Sequence, residues 1–367
     1  MAVPLFDTAS PLAPLGAELR AAILGVVNSG TFILGPEVSA FERELAAYVG
    51  AESAVGVGNG TDALTIALRA MGVGPGDDVI VPSFTFYASA EAIPPTGARP
   101  VFCDVDPDTF CVTADTVRAA LTPRTKAVLA VHLFGNLAPV AEIEALGIPV
   151  LEDAAQALGT RGPDGRPGAL GTAATFSFFP SKNLGGFGDG GAITTSDPAV
   201  AERARRLRFH GSRDKQTFTE VGYNSRLDAI QAAILRVQLP HLDAWSDGRR
   251  AAAAAYARAG LGELVALPKA APGAEPAWHL FVIRTEKPDA LAQAMQAEGI
   301  GARGYYRVAT HEQPAMREFA PSVPLPGTEE AARTNLAIPI SPVLSQAQVS
   351  EVVAAARGHL APIAVGS

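Results

Sequence analysis

FSFFPSKNLGGFGDGG (residues 176–191) places one lysine, Lys182, between a short aromatic run and a series of glycines. The lysine follows directly on a predicted strand, AATFSFF. One interpretation is an ordinary solvated lysine in a loop. The other is a partly desolvated lysine that acts as a nucleophile toward a carbonyl group. The glycines after it allow either a close backbone approach to a ligand or a flexible turn.

Composition limits the classes of function. The 367 residues are 48 % hydrophobic, enough for one large α/β core or for a large domain plus a smaller one. A net charge of −8 argues against nucleic acid or an anionic membrane as the main partner. Cys103 and Cys111 form no CxxC pair or disulfide framework, which predicts a reducing, cytoplasmic location. We find no signal peptide, no membrane span and no metal-ligand spacing, so we expect no metal.

Strand and helix patterns alternate in the first two thirds of the chain. Helical spacing of apolar residues predicts helices at 36–50 and from Thr61 onward. The predicted strands are short apolar runs bounded by turn residues: DDVIVPS, ARPVFCDVD, TKAVLAVHLFG, GIPVLEDAA, AATFSFF and GGAITTSD. This alternation predicts an α/β fold with a mainly parallel sheet covered on both faces. In such sheets the chemistry gathers at the carboxyl ends of the strands.

The regular alternation of strand and helix patterns ends near residue 245. We therefore predict a large domain at 1–245, including the N-terminal segment, and a smaller α+β domain at 246–367. Within the small domain the expected order is helix, strand HLFVIRT, helix, strand ARGYYRV (302–308) and a final helix capped by Ser345. His132 and His279 stand in apolar runs and are predicted to be packed structural histidines.

Three further motifs lie at predicted strand ends or turns. In GNGTDAL (58–64) a glycine-rich turn opens a helix, either as a plain cap or as a phosphate site to which Thr61 adds a hydroxyl group. In VLEDAAQA, Asp153 either caps the next turn or pairs with a cation such as a protonated ring nitrogen. In VPSFTFYASA, Phe86 either packs in the core or offers its face to a planar ring. A phosphate site, a carboxylate for a ring nitrogen, an aromatic face and the amine of Lys182 are together the groups that bind pyridoxal phosphate.

Long ordered motifs over nearly the whole chain resemble the DegT/DnrJ/EryC1/StrS family of pyridoxal-phosphate-dependent sugar aminotransferases. They are SGTFILGPEVSAFE, GVGNGTDAL, VIVPSFTFYAS, PVFCDVDPDTF, AVHLFGN, EDAAQALG, FSFFPSKNLGGFGDGGAITT, HGSRDK and GYNSRLDAIQAAIL. The resemblance implies the aspartate-aminotransferase-like fold (fold type I), as a homodimer with its sites at the subunit interface.

The resemblance also implies roles for individual residues. Lys182 would form the Schiff base with the cofactor and transfer protons at the substrate carbon. Asp153 would pair with the pyridine nitrogen, Gln156 would contact the 3-hydroxyl side of the ring, and Phe86 would stack on it. The phosphate would be held by the turn and helix start at Gly60, Thr61 and the Asp62 backbone N–H, by Ser177, and by Asn224 of the other subunit.

The substrate side of the site is implied in less detail. Tyr306 and His311 match a family loop that faces the substrate, but Arg307 stands where proline is usual. Arg307 is either a ligand for a diphosphate or uronic carboxylate or a surface arginine. Lys215, together with His210, would lie near the sugar nucleotide. Arg226 either shares the Asn224 role or forms an internal salt bridge.

The implied reaction has two halves. An amino acid, L-glutamate, gives its amine to the cofactor, and the pyridoxamine form then aminates a keto group of a nucleotide-diphosphate-linked sugar. The stretch around Lys182 lacks the preceding histidine and the GEGG typical of members acting at C-4, and it more closely resembles members acting on 3-keto sugars. The alternatives are action at C-4, a non-nucleotide ketone such as a cyclitol, and a non-catalytic paralogue. Lys182 argues against the branch that carries histidine there and dehydrates its substrate.

Overall fold

Seven strands form the large sheet in the computed structural model, which describes residues 2–360. They are β1 (Ser53–Val57), β2 (Asp78–Pro82), β3 (Arg99–Cys103), β4 (Thr125–Val131), β5 (Val150–Asp153), β6 (Ala173–Ser177) and β7 (Gly191–Thr195). Their spatial order is β1-β7-β6-β5-β4-β2-β3. Strand β7 is antiparallel to both its neighbours, and the other pairs are parallel. The predicted α/β class with a mainly parallel sheet is confirmed.

Helices cover both faces of this sheet. They are α1 (Gly16–Ser29), α2 (Pro36–Val49), α3 (Gly60–Ala70), α4 (Ala88–Glu91), α5 (Ala114–Ala119), α6 (Val140–Glu144), α7 (Pro198–Leu207) and α8 (Ala229–Gln238). Alternate residues of one strand enter different cores, because successive side chains point to opposite faces. In β1, Val55 and Val57 join the core under α3, whereas Ala54 joins the core under α2 and α8.

Helix α2 follows its sequence pattern closely. Val38, Phe41 and Leu45 are buried along one face, and the helix ends at Gly50, whose φ of 88° is left-handed. Glycine adopts this conformation without the steric cost that a Cβ would bring. Strand β1, by contrast, was not predicted, because its short AVGVG pattern runs straight into a glycine turn.

A second, two-stranded sheet lies in the C-terminal third. The elements there are α9 (Leu242–Arg258), β8 (Phe281–Arg284), α10 (Pro288–Ala297), α11 (Pro326–Thr334), β9 (Asn335–Ile338) and α12 (Gln346–His359). Short 3₁₀ turns occur at Ala13–Leu15, Pro94–Thr96, Leu133–Gly135, Leu239–His241, Leu261–Glu263, Thr310–Glu312 and Pro314–Phe319. Ser345 caps α12 by accepting the Gln348 N–H, as its position predicted. The predicted boundary at 245/246 falls inside α9 and stays a prediction.

The strand predicted at 302–308 is wrong. Arg303 forms a one-residue bridge to Ala337, and the strand that pairs with β8 is β9. The Tyr305 N–H donates to the side chain of Asn335 at 2.6 Å instead of to a strand neighbour. The side chain of Tyr306 packs among aromatic rings. The alternation of side chains in residues 302–308 therefore reflects an aromatic cluster and not the pairing of a β-strand.

The structure also bears on membrane insertion and on the two cysteines. Within residues 2–360, no helix is both long and apolar enough to cross a membrane. Cys103 and Cys111 are buried free thiols, and burial raises the pKa of both.

Candidate active site

A cavity of about 1170 Å³ opens at the carboxyl ends of β2, β4, β5 and β6. The loop that carries Lys182 and the loop at 303–308 close its sides. Ten of the residues proposed from sequence line it: Gly60, Thr61, Asp62, Phe86, Asp153, Gln156, Ser177, Lys182, Tyr306 and Arg307. Lys215, Asn224 and His311 do not line it in this chain.

The start of α3 forms one wall. Asn59 caps the helix, and its side-chain oxygen accepts the Asp62 N–H at 2.8 Å. The N–H groups of Gly60 and Thr61 have no acceptor among the described residues, which leaves them available to an anion. A Cβ on Gly60 would lie 2.8 Å from the Cβ of Ser177, so only glycine allows the helix start to approach the end of β6 this closely. The arrangement fits a phosphate group.

Asp153 forms the floor of the cavity at the end of β5. It is 6 % exposed, and its two oxygens accept hydrogen bonds from the Ser89 hydroxyl at 2.8 Å and from the Ala155 N–H at 3.2 Å. The Thr85 hydroxyl lies 3.0 Å from that of Ser89. No basic side chain in residues 2–360 forms an ion pair with this carboxylate. A buried carboxylate of this kind calls for a cation from outside the protein, such as a protonated pyridine nitrogen.

Lys182 faces this carboxylate across the cavity. Burial lowers the pKa of its ammonium from 10.5 to about 8, and the charge of Asp153 opposes part of that shift. Its side chain has no hydrogen bond or ion pair within the part of the chain that the structure describes. Lys182 is therefore not a solvated loop lysine, and its lowered pKa makes the unprotonated, nucleophilic amine easier to reach than that of a lysine in water.

Aromatic groups line the remaining wall. Gln156 accepts the Phe134 N–H at 2.7 Å and donates to the Tyr306 hydroxyl at 3.2 Å. Burial raises the pKa of Tyr306. Phe86 is 54 % exposed and lies 6.0 Å from the Tyr306 ring, so it borders the open cavity and is not a core residue. Its face is available to a planar ring.

The predicted substrate residues lie in less direct positions. Arg307 borders the cavity, but its guanidinium pairs with Asp289 at 2.9 Å. His311 lies behind the wall, where Nδ1 contacts the Ser83 hydroxyl. Lys215 stacks over the ring of Phe209 at 4.8 Å.

The motif around residue 224 contacts the turn before α3, where the Ser225 hydroxyl accepts the Gly58 N–H at 2.9 Å, but Asn224 does not line the cavity. Asn224 is exposed, and its side-chain oxygen contacts the guanidinium of Arg226. Arg226 also lies 5.7 Å from the ring of Phe209.

Several residues that line the cavity were given no site role from the sequence, and three of them matter for its chemistry. Ser89 supports Asp153, Arg303 lines the opening beside Tyr305, and His279 lies in the wall that also carries Lys182. Ser89 stands in the motif that carries Phe86 but was given no role there, and neither Arg303 nor His279 stands in a motif that marks a ligand contact. Their roles depend on how segments far apart in the chain come together.

Comparison with known proteins agrees with this geometry. The DegT/DnrJ/EryC1/StrS aminotransferase family matches residues 14–357. The dTDP-3-amino-3,4,6-trideoxy-alpha-D-glucose transaminase of Streptomyces venezuelae is 47 % identical over 362 residues, which cover 97 % of this chain and 95 % of that protein. The UDP-N-acetyl-3-dehydro-alpha-D-glucosamine 3-aminotransferase of Acidithiobacillus ferrooxidans is 42 % identical over 363 residues, which cover 98 % of each chain.

A solved structure shows the same fold. The crystal structure of S. venezuelae DesV in complex with a ketimine intermediate superposes with a TM-score of 0.94 at 46 % identity. The match covers 97 % of this chain and 98 % of that one.

Proposed function

The chain belongs to the DegT/DnrJ/EryC1/StrS aminotransferase family, and from that premise we propose that it aminates the C-3 keto group of a nucleotide-diphosphate-linked sugar. The amine comes from an amino acid, L-glutamate, and pyridoxal 5′-phosphate carries it in the pyridoxamine form. The observation that carries the proposal is that a buried carboxylate, Asp153, and a desolvated amine, Lys182, line one cavity beside a helix N-terminus with free N–H groups. The position on the sugar follows the similarity to the two 3-amino-sugar enzymes.

Each residue around the proposed cofactor site would have a separate role in the reaction. When bound, the cofactor supplies an electron-withdrawing ring that stabilises negative charge on the substrate carbon. Asp153, fixed by Ser89 and the Ala155 N–H, would keep the ring nitrogen protonated. Lys182 would hold the cofactor at rest and then take and return one proton at Nζ. Thr61 and Ser177 would hold the phosphate at the start of α3.

The remaining predicted contacts are part of the same proposal. Phe86 would stack on the ring, and Gln156 would approach its 3-hydroxyl side. Tyr306 and Arg307 would face the sugar nucleotide, with His311 and Lys215 at its periphery. Arg303 is a second candidate for the diphosphate, because its guanidinium borders the cavity and forms no ion pair among residues 2–360. Arg307 would first have to leave Asp289.

A homodimer with shared sites is proposed from the surface around residue 224. Phe32 and Ile33 are 47 % and 50 % exposed, and their backbone pairs with Asp228 and Ala229. Phe187 is 50 % exposed and its N–H donates to Gln231 of α8. Exposed apolar side chains against the segment that follows Asn224 fit a surface that a second copy covers.

The dimer proposal has a direct test. A Lys182→Ala chain and an Asn224→Ala chain, each impaired alone, are unfolded and refolded together. A mixed dimer holds one site with both residues intact, so activity should return to about a quarter of the wild-type level for random pairing. No recovery, with mixed dimers present, would contradict a shared site.

The function itself is tested by the two half-reactions, followed by visible absorption. The cofactor-loaded protein should be yellow, and L-glutamate alone should bleach that band. In the reverse direction, a dTDP-3-amino-sugar should bleach the band, whereas the matched 4-amino isomer should leave it unchanged. Bleaching by the 4-amino isomer alone would move the reaction to C-4, and bleaching only by an aminocyclitol would replace the nucleotide-sugar proposal. Bound cofactor that no amine converts would favour a non-catalytic paralogue.

A cytoplasmic location is proposed on the two buried free thiols, which suit a reducing compartment.

A further inference from the structure

A second cavity, of about 240 Å³, lies beside Lys182. Lys182 lines this cavity as well as the first one, and Phe6 of the N-terminal segment also borders both. Pockets that hold drug-sized ligands measure roughly 300–1,000 Å³. The second cavity is smaller than that, so it suits a small molecule and not a nucleotide-linked sugar.

Four parts of the chain form the walls of this second cavity. The N-terminal segment and the loop that carries Lys182 form two of them. Helix α9 forms the third with Trp245 and Arg249, which lie about one turn apart on the same helical face. Pro342 belongs to the fourth wall, and a Cβ on Gly248 would lie 2.2 Å from its carbonyl oxygen. Helix α9 therefore carries Arg249 into the cavity from a position in direct backbone contact with the opposite segment.

The guanidinium of Arg249 is a cation without a paired carboxylate. Its Nη1 donates to the carbonyl oxygens of Trp278 at 3.2 Å and of Ile340 at 3.3 Å, which fixes the group in the wall. Its Nε and Nη2 have no acceptor among residues 2–360, and no ion pair to Arg249 occurs in that range. Burial lowers the pKa of Arg249 to about 10, and the charge of Asp7 opposes part of that shift. The side chain is therefore charged at neutral pH, in surroundings where an unpaired cation is costly.

The charges of the second cavity favour an anion. Its charged side chains are one acid, Asp7, and two bases, Lys182 and Arg249, so positive charge is in excess. One oxygen of Asp7 already accepts the Ser10 N–H at 2.9 Å. A guanidinium binds a carboxylate well, because its N–H groups match the two carboxylate oxygens. The apolar side chains of the cavity are those of Phe6, Leu12, Phe187, Trp245 and Ile340. A short aliphatic chain that ends in a carboxylate fits both the charge and the apolar walls.

We propose that the second cavity binds the side-chain carboxylate of the amino-acid donor through the free N–H groups of Arg249. The inference rests on the proposed function, in which the amine of that donor replaces the amine of Lys182 on the cofactor. Because Lys182 borders both cavities, the reacting end of the donor stays in the first cavity and its side chain extends into the second. Arg249 is then a specificity residue, which selects a dicarboxylic donor over its neutral analogues.

The first test uses neither cofactor nor sugar. Glutarate, a dicarboxylate without an amine, is titrated into the cofactor-free protein in a calorimeter. Arg249→Gln should weaken its binding by about 10- to 100-fold, because hydrogen bonds from a charged group are lost. Asp7→Asn should tighten binding by about 3-fold, because it removes the acid of the cavity. Arg250→Gln is the matched control: Arg250 also donates to backbone carbonyls from α9 but does not line the cavity, so its loss should leave binding unchanged.

The second test follows the bleaching of the cofactor band by L-glutamate and by L-glutamine, its neutral analogue of nearly the same shape. Arg249→Gln should raise the KM for L-glutamate by about 10-fold or more and leave the KM for L-glutamine nearly unchanged. An equal change for both donors would overturn the proposal, as would glutarate binding that is absent from the wild-type protein or insensitive to Arg249→Gln. Should Arg249→Gln fail to fold, the absence of tighter glutarate binding in Asp7→Asn would overturn it.

The two tests also separate this site from the proposed function. Glutarate binding that depends on Arg249, in a protein that aminates no sugar, would leave the carboxylate site intact and contradict only the sugar substrate.

Discussion

Replacing Lys182 by methionine should stabilise the cofactor-free protein at neutral pH. Burial lowers the pKa of this ammonium from 10.5 to about 8, so the folded state holds its proton more weakly than the unfolded state does. At about 1.36 kcal/mol per pH unit, the charged form costs the folded protein about 3.4 kcal/mol. Because Lys182 borders an open cavity, solvent screening reduces the expected gain to about 1–3 kcal/mol.

The pH dependence of the stability difference between wild type and Lys182→Met separates the cost of burying the charge from effects of packing. Below pH 8 the lysine is protonated in both states, and the full penalty applies to the wild-type protein. Between pH 8 and 10.5 only the unfolded state stays protonated, so wild-type stability rises with pH. The advantage of Lys182→Met should therefore be largest near pH 7 and shrink through this window.

Urea denaturation at half-unit steps from pH 6.5 to 10 measures this difference. Lys126→Met, at an exposed lysine of β4, is the matched control, because that ammonium stays in water in both states. A constant difference between wild type and Lys182→Met, or a variant that is less stable at pH 7, would refute the reasoning.

Two further substitutions test the supports of the site. Gly60→Ala should weaken cofactor binding by about 10-fold, because the new Cβ would lie 2.8 Å from the Cβ of Ser177. Equilibrium dialysis with the cofactor measures this loss of affinity. The control variant Gly74→Ala, whose new Cβ has open space around it, should bind the cofactor normally. Glu152→Gln should lower the free energy of unfolding by about 3 kcal/mol or more, since the fully buried carboxylate accepts the N–H groups of Gly168, Leu170 and Gly171 and the ring of His132, and an amide would turn a donor toward them. Thermal or urea denaturation measures that loss, and an equal loss in the exposed Glu142→Gln control would contradict it.

The sequence predicted the large sheet well, because its strands are short apolar runs separated by helices of clear 3.6-residue spacing. It failed where tertiary contacts override the pattern. The residues at 302–308 alternate like a strand, yet Tyr306 enters the aromatic wall and Asn335 takes the Tyr305 N–H. Strand β9 was missed because it follows α11 without a turn signal.

The residues of the candidate site also fall into two groups, those that local sequence indicates and those that it does not. Lys182, Asp153 and the turn at Gly60 carry local signals, since each is a polar or glycine residue placed at a strand end or helix start. His279 and Ser89 carry none, because each acquires its role only when segments far apart in the chain come into contact. His279 reads as a core histidine from its apolar neighbours, and it is indeed buried. What distinguishes it is a ring nitrogen without a hydrogen-bond partner among residues 2–360, in the wall of the cavity that Lys182 also lines. No local pattern in the sequence indicates this position.

The glycines after Lys182 allow the backbone to pack closely against other parts of the protein. None of Gly185, Gly186 and Gly191 has the left-handed φ of a flexible turn. A Cβ on Gly185 would lie 2.5 Å from the Pro180 carbonyl oxygen, and one on Gly191 would lie 2.4 Å from the Asn59 carbonyl oxygen. The loop is therefore folded tightly on itself and against the cap of α3. Because the backbone that follows Lys182 packs against the cap of α3, the position of the Lys182 backbone relative to the start of that helix is set by backbone packing.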